Sequence, residues 1–520
     1  MDTFYRPKWT CGRYDEKTHS AIYYNLLSGT TYFFEDESAD VVGRILSSGR
    51  EGIISLPSIS QLTGIDISSI ISFFSQLVDL GLLLDTAPTE SIITAERHLL
   101  SNHRKSSQQR QLLPSDPMQA VDAERDYLTR TRCKVFSLLI ELTYECSAKC
   151  IHCYNPGASR NSKEQNTRHI TGELELSDYK RIIDEFYEMG LVRVCLSGGD
   201  PFSKPIVWEL MEYLYSKDIP FDLYTNGLRV IGKEARLANL FPCSVGISIY
   251  SDIPAVHDSI TRIPGSLKKS LTVLENLAEL SVPLAIKCCV MHNNVKSYRG
   301  VVRIADRYSA TLQLECNIFD SVDGDKCVSK YLRLGREEMH IVLRDKDIPQ
   351  YVGPEIENYG AHSMPKNENA CAAGCTGFCL TPDGSLTYCV SFQASIGNLK
   401  SNSLTEILSN PELSWWRSRT LSDYEECGKY EYCKFCCLCP GLNFAATGTP
   451  LKPCDNNCFF AKMRSEVADS LQKGIDPLNG NSIDEALNLL PEYDTSDIMR
   501  IPSSNHYKTR LREASPNNIK

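Results

Sequence analysis

The sequence lacks any uninterrupted apolar run approaching the roughly 18 residues that a membrane-spanning helix needs, so no helical span is expected. It also lacks a basic excess: 55 Lys and Arg stand against 65 Asp and Glu, a formal net charge of -10. Without long-range attraction for phosphate backbones, nucleic acid is a poor candidate partner. The opening MDTFYRPKWTCGRYDEK has no apolar core of the signal-peptide kind, and a cytoplasmic protein with no membrane partner is expected. Cysteine is too sparse for a disulfide-stapled secreted scaffold, with 22 in 520 residues, yet 11 of them fall between Cys371 and Cys458. In a reducing compartment such clustering reads as metal ligation. Cys11, Cys133, Cys195, Cys243, Cys288, Cys289, Cys316 and Cys327 are scattered and read as inert, buried thiols.

The length and the 42% hydrophobic content allow two or three cores. Residues 19–35 alternate apolar and polar about a Ser-Gly turn, which predicts a hairpin. Asp66 to Leu82 has helical spacing, stopped at Gly81 before a short strand LLLD. Hairpin, helices and strand together predict a winged-helix-like domain over 1–95, followed by a polar linker over 96–132. From 133 to 320 six apolar strands alternate with amphipathic helices, so the fold class is α/β with a partial (β/α)6 barrel. Residues 321–370 bridge to a cysteine-rich domain over 371–462, with a helix and a frayed tail over 463–520. Trp415 and Trp416 read as core, and Ser482 with Glu485 as a helix-capping pair.

The run Cys146-Ser-Ala-Lys-Cys150-Ile-His-Cys153 follows the first barrel strand, Gly198-Gly199-Asp200 the second and Asn226-Gly227 the third. Function gathers at the carboxyl ends of barrel strands, so these segments are expected at one mouth. Three thiolates can hold three irons of a four-iron cluster and leave the fourth open. A zinc knuckle completed by a distant ligand is the alternative.

In this context the CxxxCxxC loop resembles the signature of the radical S-adenosylmethionine (radical SAM) enzymes. The resemblance implies that the open iron is chelated by S-adenosylmethionine and that cluster reduction yields a 5'-deoxyadenosyl radical that abstracts hydrogen from carbon. It further implies that Gly198, Gly199 and Asp200 meet the methionyl amine, with Asp200 replacing the usual Glu. Ser248 and Arg262 would hold the carboxylate, Arg262 through its fork of donors, and Tyr154 would line the cofactor pocket or pack on the loop. His152 would pack beside the cluster.

The cysteine-rich region resembles the SPASM extension with two auxiliary four-iron clusters. Cys371, Cys389, Cys427, Cys433, Cys436, Cys439 and Cys458 are the implied ligands, whereas Cys375, Cys379, Cys437 and Cys454 are less readily assigned. The run Cys427-x5-Cys433-x2-Cys436-x2-Cys439 departs from the family's usual spacing. The first domain resembles a RiPP recognition element, which grips the leader of a ribosomally made precursor peptide by strand addition. Its helix segment SSIISFFSQLVDLG has no Lys or Arg, against a DNA-reading role. The reading is a peptide maturase that forms a thioether or carbon–carbon crosslink, served by an electron donor such as flavodoxin or ferredoxin. A sulfatase-maturing type of side-chain oxidase and a non-catalytic iron–sulfur carrier are the alternatives. No general base is identified.

Overall fold

The computed structural model describes residues 3–107, 121–133, 135–155, 172–320, 327–357, 365–424, 426–427 and 429–492. The expected hairpin is β3 (Ser20–Asn25) and β4 (Thr30–Glu35), and β2 (Thr10–Asp15) joins it in a sheet of order β2-β3-β4. A two-stranded ribbon pairs β1 (Thr3–Tyr5) with β5 (Ile53–Ser55). One sheet face, through Ala21 and Tyr23, packs on Val42, Ile45, Phe74 and Leu77 of the domain's helices. Asp66 caps the helix Ile67–Asp79 by accepting the Ser68 N–H. The expected strand after Gly81 shrinks to one bridge, Leu84 with Tyr5, because the chain then leaves for the helix Glu90–Ser107.

The opposite sheet face rests on the barrel. Trp9, Cys11, Ile22 and Tyr24 pack with Phe136, Val192 and Phe241, which precede barrel strands. The first domain therefore sits against the amino-terminal floor of the barrel. Much of the expected linker is helical: Glu90–Ser107 begins it and Asp122–Thr131 ends it, with 108–120 outside the described residues. The second helix wedges between domain and barrel. Its Glu124 accepts from Tyr24 Oη at 2.9 Å and pairs with Arg193 at 3.4 Å. A helix held by a buried charge network rather than an apolar stripe leaves little periodicity to read.

The six expected barrel strands are β6 (Ser137–Glu141), β7 (Arg193–Ser197), β8 (Phe221–Thr225), β9 (Ser244–Ser248), β10 (Leu284–Cys289) and β11 (Thr311–Glu315), all parallel. Leu138, Ile140, Val194, Leu196, Leu223, Val245, Ile247, Ile286 and Leu314 face the surrounding helices and are fully buried. The alternate positions turn inward, and there Glu141 is paired with Ser197, Ser248 with Lys287 and Cys289 with Glu315. The barrel interior is therefore polar toward its carboxyl end.

The cysteine-rich region does not stand apart from this sheet. β12 (Gly377–Leu380) pairs with β6 in parallel, and β13 (Ser385–Thr387) and β14 (Ser395–Asn398) continue it, giving nine strands in the order β11-β10-β9-β8-β7-β6-β12-β13-β14. Trp416 is core: it packs on Tyr388 and Phe392, and its Nε1 donates to Ala373 O at 2.6 Å. The helix Asp455–Gln472 crosses the expected boundary at 462 and carries Cys458. The final helix Ile483–Leu489 is capped by Ser482 and Glu485.

Arg6, fully buried, fastens the floor contact: it pairs with Asp218 at 2.8 Å, and Arg50 reaches the same carboxylate at 3.0 Å while lying 3.8 Å from the Tyr215 ring. Asp218→Ala leaves a buried guanidinium without its anion, a loss of about 3–5 kcal/mol. Hydrogen exchange in β2 and protease cleavage between the first domain and the barrel should both accelerate.

Candidate metal and cofactor site

The three-cysteine loop leaves β6 and is laced to its neighbours through its backbone. On one side Leu142 N–H donates to Ser197 O, Gly199 N–H to Thr143 O at 2.7 Å and Asp200 N–H to Glu145 O at 2.9 Å. On the other, Lys149 and Ile151 N–H groups donate to Thr261 O and Ile260 O at 2.9 and 3.0 Å. The loop thus bridges the ends of β7 and of the helix Pro254–Thr261, and holds half-buried Cys146, Cys150 and Cys153 at the mouth.

Gly198 and Gly199 make this approach possible. Gly198 has φ +120, and a Cβ there would lie 2.4 Å from Thr143 O; at Gly199 it would lie 2.3 Å from Glu145 O. The side chain these glycines exclude is one that would strike the protein's own loop. Asp200 is fully buried, and both its oxygens are engaged: Oδ1 accepts Phe202 N–H at 3.0 Å, while Oδ2 accepts Thr225 Oγ1 at 3.0 Å and Asn226 N–H at 3.3 Å. Its carboxyl is raised above the usual range by burial, against these donors.

Arg262 ends its helix in a left-handed conformation, φ +59, and lies half-buried beside Cys150. Burial lowers its pKa, and the nearby thiolate opposes that. Ser248 ends β9, two residues before Tyr250. The Tyr250 ring meets His152 edge-on at 4.7 Å and stacks on His257 at 5.5 Å, so His152 packs beside the cysteines. Tyr154 turns into the barrel, where its hydroxyl donates to Glu141 Oε1 at 3.1 Å and Tyr144 donates to Oε2 at 3.0 Å.

A cluster and its nucleotide cofactor fit these residues on the chemistry of the donors. Three thiols, a half-buried guanidinium and an asparagine amide lie at one mouth. Asn155, 2% exposed, donates to Gly198 O at 3.0 Å, and its Oδ1 meets no hydrogen-bond donor among the described residues.

Sequence reading passed over Glu141, Asn155 and the Lys287 ammonium 3.4 Å from the Tyr224 ring. The available signal was a carboxylate and an ammonium inside otherwise apolar strands, LLIE and LAIKCC.

In the carboxyl-terminal region Cys389 is coupled electrostatically to Cys371 and Cys439, and Cys427 to Cys433, Cys454 and Cys458, while Cys437 is coupled to both Cys436 and Cys439. Burial pushes Cys439 up to about 12 and Cys427 to about 11, so a cation or metal core is needed to keep such thiols ionised together. Backbone N–H groups already point at the sulfurs, Phe392 to Cys389 at 3.2 Å and Ala373 to Cys371 at 3.4 Å. Of the remaining thiols, Cys379 is buried between Leu139 and Cys195, Cys375 lies near Arg417 and Cys437 is exposed.

Gly199→Ala should displace the cysteine loop, and iron bound by the protein should fall by one cluster's content while the auxiliary iron stays. His257, 1% exposed, accepts the Tyr250 N–H at 3.2 Å, and burial lowers its pKa to about 4. Between pH about 6.5 and about 4 the unfolded chain takes a proton that the folded one refuses, so stability should fall with pH by up to ~3 kcal/mol. Thermal unfolding across that window should show a flatter profile in His257→Gln.

Comparison with known proteins agrees with this arrangement. The profile of the Radical SAM superfamily matches residues 140–301, and that of the SPASM iron-sulfur cluster-binding domain matches 371–440. An AdoMet-dependent heme synthase of Methanosarcina barkeri is 28% identical over 342 residues, 60% of this chain and 93% of its own. The mycofactocin maturase MftC of Mycobacterium ulcerans is 34% identical over 176 residues, 34% of this chain and 45% of its own. The crystal structure of Streptococcus suis SuiB bound to precursor peptide SuiA superposes with a TM-score of 0.51 at 13% identity, covering 88% of this chain and 99% of that one, which shows a shared fold. With three cysteines at the barrel mouth and a cluster-binding domain continuing the same sheet, the chain is a radical SAM enzyme with a SPASM domain, whose cofactors are S-adenosylmethionine, a four-iron cluster and auxiliary iron–sulfur clusters.

Proposed function

We propose that this enzyme is a peptide maturase that crosslinks a ribosomally made precursor peptide. The observation that carries the reading is the first domain. β4 ends its three-stranded sheet, and beside that edge Phe73 of the helix Ile67–Asp79 meets Phe34 at 5.8 Å, with Ile67 and Ile71 exposed at 43% and 44%. An extended leader laid along β4 would satisfy the edge's N–H and C=O groups and cover those side chains. The names of the similar mycofactocin maturase and of the SuiB complex with a precursor peptide support the same substrate class. The heme synthase argues less strongly. Nearly its whole length aligns with 60% of this chain, which leaves little of it to correspond to a leader-holding domain.

In this reading Cys146, Cys150 and Cys153 hold the reducing cluster, and Gly198, Gly199, Asp200, Ser248 and Arg262 shape the cofactor pocket. Arg262 receives the methionyl carboxylate, and Tyr154 braces the loop through Glu141. Cys371, Cys389 and Cys439 serve one auxiliary cluster, and Cys427, Cys433, Cys436 and Cys458 the other. When bound, reductively cleaved S-adenosylmethionine supplies a 5'-deoxyadenosyl group that takes one hydrogen atom from a peptide carbon. Joining that carbon to a thiol or a second carbon would release a further proton and one electron, and auxiliary clusters held by the carboxyl-terminal cysteines would supply the acceptor for that electron. A flavodoxin or ferredoxin would supply the first electron. Among the described residues no helix is long and apolar enough to cross a membrane.

Co-expression with a short neighbouring open reading frame should give a peptide two mass units lighter, with fragmentation interrupted between the joined residues. Unchanged peptide mass with an intact enzyme would contradict the proposal. Because the first domain lies on the barrel floor, the substrate must pass at least one strand length, roughly 17 Å, plus the bordering loops. At least about five extended residues are needed between leader and modified site. Shortening this spacer should abolish modification while peptide affinity persists, and deleting residues 1–95 should remove the affinity.

A further inference from the structure

Asn226 is fixed on every side. Its carbonyl accepts from Ser270 Oγ at 2.7 Å, its N–H donates to Asp200 Oδ2 at 3.3 Å, and its side-chain Oδ1 accepts Leu228 N–H at 2.9 Å. That leaves Nδ2 to point to the mouth, where it lies 3.3 Å from Cys146 Sγ. A flipped amide would set its NH2 against the Leu228 N–H, donor facing donor, and leave Oδ1 against the sulfur. The donor is therefore locked toward the thiol. Behind it, Thr225 Oγ1 donates to Asp200 and accepts Gly227 N–H at 3.0 Å, so the Gly198–Asp200 and Thr225–Gly227 segments form one frame.

We infer that Asn226 tunes the reduction potential of the cluster held by Cys146, with Asp200 as a positioning residue that keeps the amide aimed. This rests on the assignment of Cys146 to the reducing cluster. Hydrogen bonds to cluster sulfurs are among the determinants of cluster potential. A donor stabilises the added negative charge of the reduced state more than the oxidised state, so its presence raises the potential and eases reduction. The same frame accounts for Asp at position 200: its short carboxylate is folded back onto Phe202, Thr225 and Asn226. It acts through Asn226.

The test is an EPR-monitored redox titration of the iron-loaded protein, in which the component whose signal changes on adding S-adenosylmethionine marks the three-cysteine cluster. In Asn226→Leu with full iron content, that component's reduced-to-oxidised ratio at the wild-type midpoint should fall about tenfold, equivalent to a shift of about 59 mV for one electron. The other components should keep their midpoints. An unmoved midpoint overturns the inference. Should Asn226→Leu load incompletely, pulsed EPR on reduced wild-type protein carrying 15N-asparagine, without S-adenosylmethionine, decides instead: a 15N coupling to the cluster supports the bond and its absence overturns it. If the wild-type protein has no component that responds to S-adenosylmethionine, the cluster assignment itself fails, a separate result.

Discussion

The contact on which the rest of the site depends is the backbone crossing of two loops at the barrel mouth. Gly199 N–H meets Thr143 O at 2.7 Å and Asp200 N–H meets Glu145 O at 2.9 Å, a distance that no side chain at Gly198 or Gly199 would allow. This crossing fixes the start of the cysteine loop over the end of β7. From there the loop spans to the helix Pro254–Thr261, which delivers Arg262 beside Cys150, while Asp200 turns back to hold Asn226 against Cys146. Three thiols far more mobile in an unfolded chain are thereby carried on one braced loop at the mouth.

The barrel below serves that mouth with its unusual interior. Alternation sends the apolar set outward to the helices and leaves Glu141, Ser197, Tyr224, Ser248, Lys287 and Glu315 on the inner side. Glu141 ties both Tyr144 and Tyr154 to the first strand, so the cysteine loop is gripped from beneath as well as from its flanks. Addition of β12 to β6 places the SPASM region on the same rigid sheet. Strand pairing rather than a linker therefore joins the SPASM region to the barrel.

Much of this was legible in the residues. Strands such as VRVCLSG and SVGISIYS announce a barrel, and the CxxxCxxC spacing a radical SAM domain, because period and spacing are local properties. What escaped was non-local. The helix Asp122–Thr131 is held by Glu124, Tyr24 and Arg193 across distant sequence, so its own pattern looked like a linker. The helix Asp455–Gln472 has Cys458 in its first turns, and a ligand-rich stretch obscured its periodicity. The glycine pair was read as room for a ligand, whereas its immediate neighbours are the protein's own carbonyls; only the fold shows which loop comes within 2.4 Å. Likewise the hold of Asp200 on Thr225 and Asn226 joins residues distant in sequence and shows only in the fold.

The central claim is that the three thiols at this mouth support reductive cleavage of S-adenosylmethionine. The most direct measurement is anaerobic quantification of 5'-deoxyadenosine from iron-loaded protein, dithionite and S-adenosylmethionine, in parallel with a variant carrying Cys146→Ala, Cys150→Ala and Cys153→Ala. The account predicts cleavage by the wild-type protein and none by the variant, which should keep its auxiliary iron. Cleavage that survives in the variant, or no cleavage by fully loaded wild-type protein, would contradict it.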